Sequence, residues 1–130
     1  MRGIGDRMSE FLVGKVAEFS DGDRKIVGRG GVEVGVFRWD QRFFAYSNYC
    51  LHQGGPACEG LVMHAVEDVI LADKTCAGQR FSDTNVNFVC PWHGYEYDMR
   101  TGEFVGDRRR KLKSFPVFVR GDDVYVVLES

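Results

Sequence analysis

Two short boxes in this sequence carry residue types that bind metals. The first is Cys50-Leu51-His52, followed by Gln53-Gly54-Gly55-Pro56; the second is Cys90-Pro91-Trp92-His93, followed by Gly94. Each supplies one thiolate and one imidazole. Together they make a set of two sulfurs and two nitrogens, which a tetrahedral zinc ion accepts and a binuclear iron–sulfur centre with unlike irons accepts as well. In zinc fingers the close pairs are usually Cys–Cys and His–His. Here each close pair is mixed, so two similar loops can present their cysteines to one metal and their histidines to another. Glycine follows both boxes, and its missing side chain lets backbone N–H groups approach a sulfur closely.

The elements that must hold these boxes read as strands. Short runs rich in β-branched and aromatic residues recur between glycine and aspartate turns, which is an all-β pattern. Strands are predicted at 11–17, 25–27, 32–37, 43–48, 87–89, 95–97, 117–120 and 124–128, with hairpin turns at Gly30-Gly31 and Asp40-Gln41. The last hairpin is the clearest. Val117, Val119, Val124, Val126 and Leu128 alternate around Gly121-Asp122-Asp123, which predicts one buried face.

One stretch breaks the pattern. From about 59 to 85 the sequence is mixed, and Leu61, Val62, Ala65, Val66, Val69 and Ile70 fall on one stripe at the helical period. An irregular insertion with a helical turn or two is predicted between the boxes.

The totals bound the function. The chain has 130 residues, 44% of them hydrophobic, which suits one domain with its own core. Its net charge of −2, from 17 basic and 19 acidic residues, gives no reason to expect nucleic acid or a membrane as partner. Residues 1–10 lack the apolar core of a signal peptide, and no run approaches the roughly 20 apolar residues of a membrane helix. A cytoplasmic location is expected. In such a compartment four cysteines read as ligands or free thiols more readily than as two disulfides.

Beyond the boxes themselves, the flanks resemble those of Rieske-type [2Fe–2S] ferredoxins from about Val13 to Leu128. The second box continues as Gly94-Tyr95-Glu96-Tyr97-Asp98 and then Thr101-Gly102. Phe44-Ala45-Tyr46-Ser47-Asn48 leads into the first box, and Leu112-Lys113-Ser114-Phe115-Pro116-Val117 follows the second. The resemblance implies a single Rieske domain over 1–130: an antiparallel β-sandwich base bearing a small cluster-binding subdomain at about 48–104, with the insertion at about 59–85. It implies that Cys50 and Cys90 bind the inner iron and His52 and His93 the outer one. It also implies a one-electron carrier without substrate chemistry, loaded by an NAD(P)H-dependent flavoprotein reductase and unloaded by a terminal oxygenase. A permanent subunit of a larger redox enzyme, like the small subunit of a nitrite reductase, is the alternative.

Departures from the family pattern refine this. Trp92 stands where respiratory Rieske proteins carry a second-box cysteine, so their loop-joining disulfide cannot form. Tyr95 stands where those proteins place a serine that donates to a bridging sulfide, whereas Tyr97 keeps a hydroxyl able to reach a cysteine sulfur. Fewer donors to sulfur lower the potential, so a midpoint near the low end of the Rieske range, about −150 mV, is expected. His64 is the only histidine outside the boxes, too few for a separate two-histidine, one-carboxylate iron site. Cys58 and Cys76 flank or lie within the insertion and read as free thiols, with a disulfide or an auxiliary site with His64 as alternatives. The run Arg108-Arg109-Arg110-Lys111, with Lys113, reads as a solvated face or as a patch that steers an acidic partner.

Overall fold

The computed structural model describes residues 8–51, 55–70, 76–92 and 94–129. Twelve strands follow in chain order: β1 (Met8–Lys15), β2 (Arg24–Arg29), β3 (Val32–Trp39), β4 (Arg42–Ser47), β5 (Val62–Ile70), β6 (Cys76–Val89), β7 (Glu96–Asp98), β8 (Glu103–Phe104), β9 (Asp107–Lys111), β10 (Ser114–Phe115), β11 (Val117–Arg120) and β12 (Asp123–Glu129). They form three antiparallel sheets, ordered β1-β12-β11, β10-β4-β3-β2 and β5-β6-β7-β8-β9. Among the described residues the one helical element is a 3-10 turn at Val16–Glu18. The all-β class and the antiparallel base are as the sequence predicts.

Strands β3 and β4 are buried on both faces because they lie between two cores. Side chains alternate along a strand. Val34, Val36 and Ala45 therefore pack with Val124, Val126, Leu128 and Phe19 in one core, while Phe37 and Tyr46 point into the other with Phe88, Tyr97 and Met99. The second core also contains Cys50, Cys58 and Cys90, so the base and the metal-binding boxes share apolar contacts. Gly35 sits on β3 where a Cβ would meet the Cys58 side chain, so a larger residue there would collide with it.

The turns follow from local chemistry. Gly30 and Gly31 take positive φ (59° and 85°), as a two-residue hairpin between Arg29 and Val32 requires. Asp40 and Gln41 do the same at 53° and 62°, although neither is glycine. The β11–β12 turn is shorter than its sequence suggests, since Asp123 already pairs with Arg120 and only Gly121-Asp122 remain between them. Val124, Val126 and Leu128 are buried as the alternation predicts. Val119, on the edge strand β11, is exposed instead.

The helical reading of residues 61–72 is wrong over 62–70, and residues 71 and 72 lie outside the described residues. Residues 62–70 form β5, paired with β6 from Val62↔Phe88 to Ile70↔Cys76 across two register shifts. The apolar run is rich in β-branched residues, and the partner strand overrides a chance match to the helical period. Only Asn87–Val89 of β6 pair onward with β7, so the outer part of the β5–β6 pair is a two-stranded ribbon. The basic run also proves to be a strand, β9, at the edge of the five-stranded sheet.

Candidate metal centre

Each box sits at the mouth of a tight hairpin loop. In the first, Tyr49 and Pro56 form an isolated antiparallel bridge, the Cys50 N–H donates to the Gly55 carbonyl at 2.6 Å, and the Ala57 N–H donates to the Asn48 carbonyl at 3.2 Å. In the second, Val89 pairs with Glu96, and the Cys90 N–H donates to the Tyr95 carbonyl at 2.8 Å. Both cysteines thus donate to the carbonyl of the fifth residue onward, and the same closure places each at the base of its loop. Gly94 has φ 71° and donates to the Cys90 carbonyl at 3.0 Å, which makes the glycine of the second box a conformational requirement. The glycine after the first box serves close approach: a Cβ on Gly55 would lie 2.7 Å from the Trp92 ring. Trp92 therefore lies against the first loop, though it stays 57% exposed.

Cys50 and Cys90 are buried. The Tyr97 hydroxyl lies 3.0 Å from Cys50 Sγ and accepts the Leu51 N–H at 3.0 Å. Either atom can donate while the sulfur is a thiol, and toward a thiolate, which only accepts, the phenol is the donor. Burial, reinforced by the bond to Cys50, holds the Tyr97 pKa above its ordinary value, so the phenol remains a donor. The expected reach of Tyr97 to a cysteine sulfur is therefore present. Tyr95 turns elsewhere, its ring stacked on Phe104 at 4.5 Å and 8°.

Cys58 has a different character. Its thiol is free and points at the carbonyls of Tyr46 and Ser47, each 3.6 Å away. Burial pushes its pKa up to about 12, which suits a neutral packing residue and not a ligand. The disulfide reading of Cys58 falls with its free thiol. Cys76 belongs to β6, and its side chain lies outside the described residues. His64 lies at the surface with its ring edge on to Trp39 at 5.4 Å.

The donor set fits an iron–sulfur group in its cysteine half. Two buried thiols arrive from similarly closed loops, one beside a hydrogen-bond donor, while the third buried cysteine of that core faces carbonyls. His52 and His93 lie outside the described residues.

Sequence reasoning named two residues without finding their contacts with the first loop. Asn48 is 2% exposed; its amide nitrogen donates to Glu59 Oε2 at 2.6 Å and Glu33 Oε1 at 3.1 Å, and its oxygen accepts the Cys58 N–H at 2.8 Å. This clamp fixes where the chain leaves β4. A polar residue closing an apolar run was the available signal. Arg110 reaches from β9 to the Leu51 carbonyl at 3.4 Å, and nothing in its spacing marks it.

Comparison with known proteins agrees with this geometry. The sequence model of the Rieske [2Fe–2S] domain family matches residues 9–116. The chain is 25% identical over 124 residues to the 3-phenylpropionate/cinnamic acid dioxygenase ferredoxin subunit of Photorhabdus laumondii, covering 95% of this chain and 98% of that one. It is 26% identical over 114 residues to the ferredoxin component of the alkene monooxygenase system of Xanthobacter autotrophicus, covering 88% and 77%. Among solved structures, a chain from the complex of reduced oxygenase and oxidized ferredoxin in carbazole 1,9a-dioxygenase superposes with TM-score 0.66 at 22% identity, covering 90% and 91%. In other complexes of that system this chain spans about a quarter of the matched chain, 28% in one. A chain proposed to be the NADPH nitrite reductase small subunit gives TM-score 0.63 at 14% identity, covering 91% and 97%. At these identities the structural likenesses speak for the fold.

Proposed function

Since the chain belongs to the Rieske [2Fe–2S] domain family, we propose that Cys50, His52, Cys90 and His93 hold its cluster and that the protein is a one-electron carrier. In this reading it takes electrons from an NAD(P)H-dependent flavoprotein reductase and passes them to a terminal oxygenase, with no substrate chemistry of its own. The observation that carries it is the pair of buried cysteines at equivalent places in two loops, one sulfur already met by the Tyr97 hydroxyl. The named relatives, ferredoxin components of a dioxygenase and a monooxygenase system, support the carrier role.

The cluster supplies reversible storage of one electron at a potential that its surroundings set. The chain's residues do the setting. Tyr97 donates to Cys50 Sγ and stabilises negative charge there. Phe88 stacks on Tyr97 at 5.5 Å and is itself stacked on Phe37 and Tyr46 at 4.7 and 5.4 Å, an aromatic cluster that excludes water from the cysteine side. Trp92 remains at the surface, where a partner can approach. With Tyr95 in place of a serine after the second box, the midpoint is expected near the low end of the Rieske range, about −150 mV. No helix among the described residues is long and apolar enough to cross a membrane, and we place the carrier in the cytoplasm.

Iron and sulfide analysis with EPR of the dithionite-reduced protein tests the centre. Two irons, two sulfides and a Rieske spectrum are expected, with the spectrum lost in Cys90→Ser and altered in His52→Cys. Colourless protein with one zinc per chain would overturn it. The ribbon of β5 and β6 favours a second reading, a permanent subunit of a larger redox enzyme, because an extended surface suits a lasting interface. Gel filtration of native extract separates the two: a monomer near 14.7 kDa supports the carrier and a stable large complex the subunit.

A further inference from the structure

Five basic residues crowd into positions 108–113, and their surroundings set one apart. Arg108 donates to Asp98 at 3.1 Å and Glu103 at 3.0 Å. Arg109 grips Asp107 through Nε and Nη2, both at 3.0 Å. The Lys113 ammonium lies 5.2 Å from the Phe115 ring. Arg110 makes no ion pair among the described residues, and the Asp107 carboxylate that Arg109 grips feels its charge only at longer range. Its exposed side chain turns back onto the first loop, where Nη2 points at the Leu51 carbonyl at 3.4 Å and the guanidinium lies 5.9 Å from the Phe104 ring. Leu51 separates Cys50 from His52. Phe104 in turn tilts against Tyr97 at 6.0 Å, and Tyr97 touches Cys50 Sγ.

Edge-strand protection accounts for basic residues along β9 in general, because charged side chains discourage pairing with another chain. It does not account for one guanidinium folded toward a ligand loop while two neighbours are neutralised. We propose that Arg110 makes the flank of the first loop a docking face for an acidic surface of the electron-exchanging partner. The proposal rests on the carrier reading above. Its warrant is charge placement. The whole chain carries −2, so an acidic partner is drawn to the flank where a guanidinium is not held in an ion pair. The guanidinium of Arg110 lies near both the Phe104 ring and the Leu51 carbonyl, so docking orders little that is not already ordered. The same charge beside Cys50 stabilises the form carrying the extra electron, and so raises the potential.

Two small outer-sphere oxidants test this without a known partner. The reduced holoprotein is mixed with hexacyanoferrate(III), an anion that takes one electron to become hexacyanoferrate(II), or with the cation tris(phenanthroline)cobalt(III), which takes one electron to become the cobalt(II) complex. The anion's rate should fall with added salt. Arg110→Gln should slow it roughly threefold at low ionic strength, leave the cation unslowed, and shift the midpoint to a more negative value. Arg109→Gln should change none of these, and Arg110→Lys, which keeps the charge, should restore most of the anion's rate. Equal effects of Arg109→Gln and Arg110→Gln, or no effect of either, would overturn the proposal. Wild-type protein with no reduced-cluster EPR signal would instead overturn the carrier reading, and this docking face with it.

Discussion

Tyr97 does two things with one oxygen, accepting the Leu51 N–H and donating to Cys50 Sγ. Tyr97→Phe removes both at once. It leaves a loop amide without its partner, which costs about 1–3 kcal/mol if water does not replace it, and takes a donor away from sulfur. The expected outcome is a retained EPR spectrum, a lower melting temperature and a more negative midpoint by voltammetry. An unchanged midpoint would show that the hydroxyl is structural alone. Cys58 yields a prediction of a different sign. Its thiol is raised to about 12 by burial, from an ordinary value of 9.0. The folded form therefore binds the proton more tightly than the unfolded one. The stability this confers is complete below pH 9 and declines as pH rises from there through about 12. Tyr46, raised chiefly by its own burial, adds a loss in the same direction. Melting temperatures of wild type and Cys58→Ala, followed from about pH 8 to 11, should converge as the pH rises.

At the scale of elements, legibility followed burial. Strands β3, β4 and β12 declared themselves because they line closed cores, and burial imposes an apolar pattern. β9 was hidden because an edge strand needs only one partner and can carry charge on every outward position, as Arg108 to Lys111 do. β5 was hidden by a coincidence, since the apolar residues of 62–70 fit a helical stripe about as well as a strand. Asp40-Gln41 was legible as a turn though not in its conformation, because two non-glycine residues at positive φ are tolerated only when the flanking Trp39↔Arg42 pair holds them. The cysteines proposed as ligands stood out by their spacing; the Asn48 clamp and the reach of Arg110 depend on tertiary contacts that no local pattern encodes. The ribbon invites a direct test. Joining His64 to Val86, which already face each other, through an Asn-Gly turn removes its outer part and preserves the three pairs that connect β6 to β7. The shortened protein is expected to keep its cluster spectrum and midpoint. If the ribbon contacts a partner, electron delivery to that partner falls while the spectrum stays. Loss of the cluster itself would show that 65–85 belong to the folding core.

The whole molecule has two cores with unequal dependence on metal. The core between the three- and four-stranded sheets contains Val34, Val36, Val124, Val126 and Leu128 and no cysteine. The other contains Cys50 and Cys90, the cysteines proposed to hold the cluster, whose thiolates would need the metal to remain buried at low cost. Removing iron with a chelator should therefore loosen one side of the protein first. Hydrogen exchange of the apoprotein is expected to keep protection at Val124, Val126 and Val36 and to lose it at Phe88 and Tyr97. Uniform loss of protection would mean that the base cannot stand without the cluster.

The pairing of β1 with β12, from Met8↔Glu129 to Lys15↔Asp123, has a consequence for biosynthesis. The outer sheet of the sandwich joins strands more than a hundred residues apart, and it cannot form until the second of them has left the ribosome. Both ligand loops and all five strands of their sheet lie between these two and emerge earlier. The pocket for iron and sulfur is thus synthesised ahead of the sandwich's last wall. The assembly machinery that delivers the metal meets its two cysteines while one side of the base is still open.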